Sequence, residues 1–315
     1  MIIPTYNQPN MLKRCLRSVK ANTHVPYGLI ISDDNSPDAE MQAYLDKLEH
    51  EYNVLRNDAQ LGFPANVNQA VEFSDADFIC LLNSDTRVCV GWLEALLDEM
   101  ESPDVGIVGC KLVYPNEKEP PWGGTIQHAG VAKGQQGPYH IWRGMPKDYP
   151  PANVRREVNC VTFACALIRR TLWDELEGLD EGYKGGQFED VSFSWTAREL
   201  GWKVVYTPKA VVYHYEHGSG EEWVKKSESP NRRRLNEQFP NQPDDVQLFE
   251  SLDKTEEGIA AFVHQIRSAA IFHTIGFRNK LDHPLRLATM SYDELPEVER
   301  EWAREHAKRL LEVLK

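Results

Sequence analysis

The first 110 residues alternate between short apolar runs and stripes of apolar positions at helical spacing. The apolar runs predict β-strands at 1–4, 29–31, 53–55, 78–82 and 105–108. Between them, positions such as Leu12, Cys15, Leu16 and Val19 repeat at i, i+3, i+4 and i+7, which predicts core-facing helices at 12–19, 41–48, 65–73 and 92–100. Ser36 is expected to cap the second helix. This alternation predicts a doubly wound, mostly parallel α/β sheet.

The pattern changes after residue 111, where a tract rich in Gly and Pro at 120–144 predicts long loops. Regular patterns then return as a strand at 158–168, helices at 171–177 and 190–200, and two β-rich runs, 204–206 and 211–213, that Pro208 separates. A polar segment follows at 218–245, and two amphipathic patterns at 259–270 and 298–313 predict a C-terminal helical extension. We therefore divide the chain at 1–110, 111–218 and 219–315.

Composition narrows the class of protein. Apolar residues make up 41% and charged residues 26% of the 315 positions, as in ordinary folded proteins. The net charge of −13 disfavours a nucleic-acid partner. The six cysteines form no C-x-x-C pair, which fits reduced thiols and a cytoplasmic location. We expect no signal peptide and no transmembrane segment, because no apolar run approaches about 18 residues.

Polar residues follow each of the first four predicted strands, where the carboxyl ends of parallel strands share one edge and ligands bind. They are Thr5-Tyr6-Asn7, Asp33-Asp34, residues 57–63 and Asn83-Ser84-Asp85. Neither G-x-G-x-x-G nor G-x-x-x-x-G-K-[ST] is present, which argues against Rossmann dehydrogenases and P-loop enzymes. A diphosphate bound here would need a divalent cation, and Asp85 is a suitable ligand; it could equally be a turn or capping residue.

These motifs carry a family resemblance. Their order and spacing resemble those of inverting family-2 glycosyltransferases with a GT-A fold. The resemblance covers about 220 residues. Its later motifs resemble the branch of the family that is common in bacterial surface-polysaccharide clusters. The motifs that carry it are residues 2–7, 32–36, 61–66, 81–86, 124–131 and 161–170, the run Phe188-Glu189-Asp190-Val191, and Gly201, Pro208 and His214.

The resemblance implies roles for individual residues on the donor side. The nucleotide would be bound in the 1–110 half by Thr5, Tyr6, Asn7, Asp34, Asn66 and Ser84. Asp85 and His214 would hold Mn²⁺ or Mg²⁺, with Asn83 replacing the first carboxylate of the family's Asp-x-Asp motif. His217 is a nearby alternative to His214. A lone histidine in a β-rich run is more often simply packed.

On the acceptor side, Asp190 of the pair Glu189-Asp190 matches the family's catalytic base. Two acids at the start of a helix are also favoured by its dipole whether or not they react, and that dipole predicts an ionised carboxylate. Ser192 replaces an acid that the family usually has there. His128 and His140 are candidate acceptor contacts. The cations Lys225, Lys226 and Arg232-Arg233-Arg234 lie where the fold often carries a mobile loop that closes over the donor, so one of them is a candidate contact of the diphosphate; such a run is more often a solvated surface.

The activity implied is metal-dependent transfer of a sugar, with inversion, from a nucleotide-sugar donor with a UDP or dTDP handle to a hydroxyl of a glycan or lipid-linked acceptor. Two alternatives stay open: a catalytically silent nucleotide-sugar or glycan-binding scaffold, and a sugar nucleotidyltransferase. The last would need a Gly-rich basic loop after the first strand, where this chain has Thr5 to Pro9. The C-terminal helices could dock on the catalytic part, form a homo-oligomer or contact the inner face of the membrane.

Overall fold

The computed structural model describes residues 1–118, 122–134, 137–216 and 221–242, together with five positions between 297 and 304. The strands are β1 (Ile2–Thr5), β2 (Ile30–Asp33), β3 (Asn53–Arg56), β4 (Phe78–Leu82), β5 (Thr86–Val88), β6 (Val105–Val113), β7 (Ile126–His128), β8 (Val131–Gly134), β9 (Gly137–His140), β10 (Arg156–Glu157), β11 (Cys165–Arg169) and β12 (Lys203–His214). The helices are α1 (Pro9–Asn22), α2 (Ala39–Leu48), α3 (Phe63–Val71), α4 (Trp92–Glu99), α5 (Arg170–Glu175), α6 (Glu189–Glu199), α7 (Glu221–Gln238) and a 3₁₀ helix at Pro150–Asn153.

One mixed sheet of ten strands organises the molecule, in the order β10-β12-β6-β11-β4-β1-β2-β3, with β5 paired to β12 and β7 to β6. Strands β1 to β4 pair in parallel, whereas β11 lies antiparallel between β4 and β6. The chain runs from β1 outward through β2 and β3 and then returns to the other side of β1 as β4. The carboxyl ends of β1 and β4 therefore border a topological switch point, where open α/β sheets bind ligands.

Two apolar layers cover the sheet. Helices α1, α2 and α4 bury side chains such as Leu12, Leu45 and Trp92 on one face. Helices α3, α5 and α6 bury Val67 and Phe193, among others, on the opposite face. The boundary predicted at residue 110 falls inside β6, so the two predicted halves share one continuous sheet. None of the described helices is both long and apolar enough to cross a membrane.

The structure corrects several local predictions. The tract predicted as long loops contains β7, β8 and β9, and β8 and β9 form a hairpin. The strand predicted at 158–168 is regular only in β11. The two runs around Pro208 form one strand, β12, with a register shift between Thr207 and Val211 that accommodates the proline. The polar segment predicted as a mobile loop contains helix α7.

The cap of α2 also differs from the prediction. Asp38, not Ser36, caps the helix, and its Oδ1 accepts a hydrogen bond from the Met41 amide at 2.9 Å. The hydroxyl of Ser36 is already engaged, because it donates to Asp33 and accepts from the amide of Asn7. The helical pattern predicted at 259–270 lies outside the described residues, as does most of the pattern at 298–313.

Candidate active site

A short antiparallel ladder brings Asp85 and His214 together. Thr86 of β5 pairs with His214 at the end of β12. The Tyr215 amide also donates to the Asp85 carbonyl oxygen at 3.0 Å. As a result, His214 Nε2 lies 3.1 Å from Asp85 Oδ1, and both residues are only 9% exposed. Asp85 and His214, which are 129 positions apart in the sequence, thus meet beside the end of β4.

The chemistry of this pair fits a divalent cation. The Oε1 atom of Gln127 accepts a hydrogen bond from His214 Nδ1 at 2.7 Å, which leaves Nε2 as the ligand atom of a neutral imidazole. Two ligands at right angles, each about 2.1 Å from an ion, are about 3.0 Å apart, close to the separation of this pair. Burial by itself lowers the pKa of His214, but the charge of Asp85 and its hydrogen bond outweigh burial and raise the pKa.

The protein supplies few metal ligands. Among the described residues, no cluster of three or more His, Cys, Asp or Glu side chains is arranged to hold an ion. Asp85 and His214 would therefore occupy two coordination positions and leave the others to ligand oxygens and water, as is usual for Mg²⁺ bound with a diphosphate. His217, the alternative ligand, lies outside the described residues.

The acidic pair lies at the start of α6, as the sequence predicts. Phe188, immediately before it, has a left-handed backbone with φ of 68°. The amide of Val191 donates to Asp190 Oδ1 at 2.8 Å, and Glu189 accepts from the amide of Gln187. A non-glycine residue with positive φ is a strained feature that is common at functional sites, and here it sets the direction in which the pair enters the helix.

Burial affects the electrostatics of the acidic pair in addition to the helix dipole. Burial raises the pKa of Asp190, although hydrogen bonds from Val191, Thr162 and Phe163 partly oppose that effect. Burial, together with the charge of Asp190, raises the pKa of Glu189 to about 8. The dipole therefore does not dominate here, because desolvation of the carboxylates outweighs it.

The segment 162–164 lies between the two carboxylates that sequence analysis singled out. Thr162 and Phe163 hydrogen-bond to Asp190, and the Ala164 carbonyl accepts from the amide of Asn83 at 2.9 Å. Because Ala164 directly precedes β11 and Asn83 directly follows β4, Asp85 and Asp190 both lie at the carboxyl edge of β4.

Strand β7 contacts both His214 and the 162–164 segment. The sequence analysis did not predict this strand or its contacts. Gln127 binds His214, and the next residue, His128, accepts from the Thr162 amide with Nε2 at 3.4 Å. His128 also accepts from Gly130 at 3.2 Å, so its proton lies on Nδ1, which is 2.8 Å from His140 Nδ1. Both histidines thus bind protein groups, and His128, 1% exposed, does not fit the predicted acceptor contact.

The loop after β1 lies on the β1 side of the switch point. Asn7 and Gln8 both have positive φ, and the Asn7 amide donates to Ser36 Oγ at 2.7 Å. Thr5 is buried, and its hydroxyl oxygen has no hydrogen-bond partner among the described residues. Tyr6 and Ser84 are partly exposed. Thr5, Tyr6, Asn7 and Ser84 therefore lie at or just after the ends of β1 and β4, and their contact with a nucleotide stays a prediction.

Two of the predicted nucleotide contacts, Asn66 and Asp34, form hydrogen bonds within the protein. Asn66 is 2% exposed; its Oδ1 accepts from Ser32 at 2.6 Å and from Asn57 at 3.0 Å, and its Nδ2 donates to the Ser32 carbonyl at 3.1 Å. The side-chain amide of Asn66 is thus engaged within the protein, and a nucleotide contact by this residue stays a prediction.

The carboxylate of Asp34 is also engaged within the protein. It accepts from the amides of Leu61 and Gly62 at 2.7 and 3.0 Å and from Asn57 at 3.2 Å. Asp34 thus fixes the segment that leads into α3, and any contact with a base or ribose would be in addition to this one.

Helix α7 holds the segment that leads to the acidic pair. The buried side chain of Asn231 donates to the carbonyls of Lys184 and Gln187 at 2.9 and 3.2 Å. Arg234 forms an ion pair with Asp180 at 2.7 Å. Arg234 was predicted to lie on a loop that closes over the donor, and the structure places it in a fixed contact. The side chains of Lys225 and Lys226 lie outside the described residues.

Comparison with known proteins agrees with this geometry. Residues 1–176 match the model of glycosyl transferase family 2. An uncharacterised protein of Sinorhizobium fredii is 30% identical over 246 residues, which are 75% of this chain and 26% of that protein. The O-antigen biosynthesis protein RfbC of Myxococcus xanthus is 29% identical over 70% of this chain and 17% of its own length. The chain thus spans about a quarter or less of these two relatives.

A third relative is closer in length. The N-acetylglucosaminyl-diphospho-decaprenol L-rhamnosyltransferase of Mycobacterium tuberculosis is 27% identical over 70% of this chain and 77% of its own.

Two solved structures share the fold. GalNAc-T7 with UDP, GalNAc and Mn²⁺ aligns with a TM-score of 0.59 at 16% identity, over 76% of this chain and 48% of that one. The mannosyltransferase PcManGT of Pyrobaculum calidifontis, with GDP-Man and Mn²⁺, aligns with a TM-score of 0.56 at 13% identity, over 98% and 85%. The predicted fold is confirmed.

Proposed function

The chain belongs to glycosyl transferase family 2, and on that premise we propose that it transfers a sugar from a nucleotide-sugar donor to a hydroxyl group of an acceptor, with inversion at the anomeric carbon. The observation that carries the proposal is the contact of Asp85 with His214, 3.1 Å apart at the switch point of the sheet. A carboxylate and a neutral imidazole at that position provide a site for Mn²⁺ or Mg²⁺ where the diphosphate of a donor would lie.

Asp85 and His214 would hold the ion, and Gln127 would orient the imidazole through its hydrogen bond to Nδ1. When bound, such an ion supplies Lewis-acid stabilisation of the departing diphosphate, an effect of several kcal/mol. Thr5, Tyr6, Asn7 and Ser84 would contact the nucleotide at the crevice, and the unpartnered Thr5 hydroxyl is a natural donor to it.

Asp190 is the base in this proposal. It takes the proton of the acceptor hydroxyl as the oxygen bonds to the anomeric carbon and the bond from that carbon to the diphosphate breaks. A raised pKa brings the carboxylate closer to neutral pH and makes it a stronger proton acceptor while it is ionised. Hydrogen bonds from Thr162 and Phe163 hold the carboxylate in place.

Glu189 has a different role because its pKa is about 8. Near pH 7 it is mostly protonated, so it adds little negative charge beside Asp190 and leaves the second carboxylate to ionise. Two neighbouring acids whose environments separate their pKa values form a usual arrangement in acid–base sites.

The donor and acceptor classes are proposed from the relatives and from the sequence. A UDP- or dTDP-sugar donor fits the fold shared with a protein solved with UDP and Mn²⁺. A glycan or lipid-linked acceptor fits the relatives named for O-antigen biosynthesis and for rhamnosyl transfer to a diphospho-decaprenol. We also propose a cytoplasmic location, peripheral to the inner face of the membrane, and self-association through the segment whose sequence predicts C-terminal helices.

The test is a panel of nucleotide sugars, each with and without Mn²⁺, read first by thermal unfolding and then by release of nucleoside diphosphate. A true donor at about 100 times its dissociation constant adds roughly 2.7 kcal/mol to the free energy of unfolding. We expect that stabilisation only with the ion, followed by turnover when glycan or lipid-linked acceptors are supplied. Stabilisation without any product would indicate the silent scaffold instead. Release of pyrophosphate from a sugar phosphate and a nucleoside triphosphate would indicate the nucleotidyltransferase.

A further inference from the structure

A cavity lies next to the candidate site, between α1 and the β5–β12 ladder. Its volume is about 710 Å³. Arg14, Arg17 and Arg87 line it together with the rings of Tyr213 and Tyr215. Neither Asp85 nor His214 lines this cavity, although Arg87 follows Asp85 by two residues and the two tyrosines flank His214. The ladder therefore has the candidate metal site at its end and this cavity along its side.

The three arginines have no hydrogen-bond or ion-pair partner within the part of the chain that the structure describes. Arg14 and Arg17 are one turn apart on the exposed face of α1, and Arg87 extends from β5. None of the three guanidinium groups donates a hydrogen bond or forms an ion pair with a described residue. Two of them stack on the tyrosines: the guanidinium carbon of Arg87 lies 4.5 Å from the ring centroid of Tyr213, and that of Arg14 lies 5.9 Å from that of Tyr215.

Such a cluster is unusual in this chain, whose net charge is −13. Other described arginines form ion pairs with carboxylates, as Arg143 does with Glu216 at 2.9 Å and Arg155 with Glu99 at 2.9 Å, or bind backbone carbonyls, as Arg198 does with Val158 at 2.9 Å. The cavity has one carboxylate, Glu117, which accepts a hydrogen bond from the Tyr215 hydroxyl at 2.5 Å. That bond, and then the positive charges of Arg87 and Arg14, lower the pKa of Glu117, so the local field is positive.

We propose that this cavity binds a phosphate or diphosphate group of a ligand other than the nucleotide donor. Guanidinium groups recognise phosphate oxygens with paired hydrogen bonds, and stacking on a ring fixes the guanidinium plane while leaving its edges free to donate. Three guanidinium groups also match the two to three negative charges of a diphosphate. The proposal goes beyond sugar transfer, because it needs neither the ion nor the donor.

The test uses the full chain in EDTA, so that no divalent cation is available to bring phosphate to Asp85 and His214. Calorimetric titration with inorganic pyrophosphate measures binding of the free anion. Flotation with vesicles of phosphatidylcholine, with and without phosphatidylglycerol, measures binding of a lipid phosphate. The cavity variant carries R14Q, R17Q and R87Q, and an equally charged control carries K47Q, R155Q and K209Q, three exposed cations that do not line this cavity.

We expect the unchanged chain and the control to bind at least one of the two probes, and each arginine removed from the cavity to weaken that binding about tenfold. Binding of pyrophosphate would identify a soluble phosphate as the ligand class, whereas binding only of the anionic vesicles would identify a lipid headgroup. D85N should bind the probe as well as the unchanged chain does, which separates this site from the proposed transferase site.

Equal binding by the cavity variant and its control would overturn the proposal, and so would failure of the unchanged chain to bind either probe. Thermal unfolding of both variants shows whether the fold is intact. Single substitutions R14Q and R17Q, at exposed positions of α1, provide the same comparison if the triple variant is unstable.

Discussion

Replacement of Asp190 by asparagine is the sharpest test of the proposed chemistry. The amide oxygen of asparagine can still accept hydrogen bonds from the Val191 amide and from Thr162, so the start of α6 should keep its shape. The amide cannot take a proton. Loss of a general base typically costs about 10²- to 10⁴-fold in rate, and we expect D190N to lose at least about 100-fold in kcat. The dissociation constant of the donor with Mn²⁺ should not change.

The structure also predicts the effect of this replacement on stability. Burial raises the pKa of Asp190, which means that the folded state disfavours its charge. Such a group contributes stability at low pH and loses that contribution as the pH rises through the folded-state pKa. Burial therefore makes the ionised form of this carboxylate a cost to the folded state, and D190N should unfold at the same temperature as the unchanged chain or a higher one.

Glu189 provides the matched control. Its pKa of about 8 makes it mostly protonated near pH 7, and glutamine is a close mimic of a protonated glutamate. We expect E189Q to keep kcat within about tenfold, well inside the loss expected for a missing base. Initial rates of nucleoside diphosphate release at saturating donor provide the comparison. A larger loss in E189Q than in D190N would refute the assignment and make Glu189 the base.

Three further predictions address the ion, the fold and the response to pH. H214Q should weaken Mn²⁺ affinity, measured by calorimetry. Loss of a residue that only supports a metal ligand typically costs about 10- to 100-fold in affinity, and H214Q removes a ligand itself, so its loss should be at least that large. N66A should lower the free energy of unfolding in urea by about 2–4 kcal/mol, since it leaves Ser32 and Asn57 without buried partners. Burial lowers the pKa of His140 to about 4, so on acidification the unfolded chain takes up this proton before the folded chain does. The free energy of unfolding should therefore decrease as the pH is lowered from 6.5 to about 4, by up to about 1.4 kcal/mol for each pH unit. H140Q should make that slope shallower.

Each of these predictions has an outcome that contradicts it. Unchanged Mn²⁺ affinity in H214Q would remove the histidine from the ion site. A loss below about 0.5 kcal/mol in N66A would mean that water replaces the amide at no cost. An identical pH slope in H140Q and the unchanged chain would assign the acid sensitivity to other groups.

The parallel half of the fold could be predicted because its signals are local. Apolar runs and helical stripes set β1 to β4 and α1 to α4 within a few residues, and the polar residues after those strands fall at one edge as expected. The acidic pair was also correctly placed at the start of a helix. The local sequence around His214 favours a packed histidine over a metal ligand. Only the β5–β12 ladder, a contact between distant segments, brings His214 to Asp85.

The predictions that differ from the structure depend on tertiary contacts that no local pattern encodes. The glycines at 123–144 were interpreted as loop residues, yet β7 pairs with β6 and contacts both the His214 ring and the Thr162 amide. The helix dipole at Asp190 is a local signal, whereas the burial that raises the pKa of Asp190 depends on how the 162–164 segment packs. Asn66 resembles a ligand contact in sequence, but its burial beneath the segment that Asp34 fixes is apparent only in three dimensions.

The anchoring of residues 180–188 by α7 affects how the chain can be shortened. A fragment ending at Glu216 would keep every strand of the sheet and both candidate ion ligands, but it would lose Asn231 and Arg234, which fasten the approach to Asp190. We expect such a fragment to retain the nucleotide and the ion while failing to join sugar to acceptor. Any minimal working unit designed from this chain must therefore extend through Gln238, well past residue 176, where the family match ends.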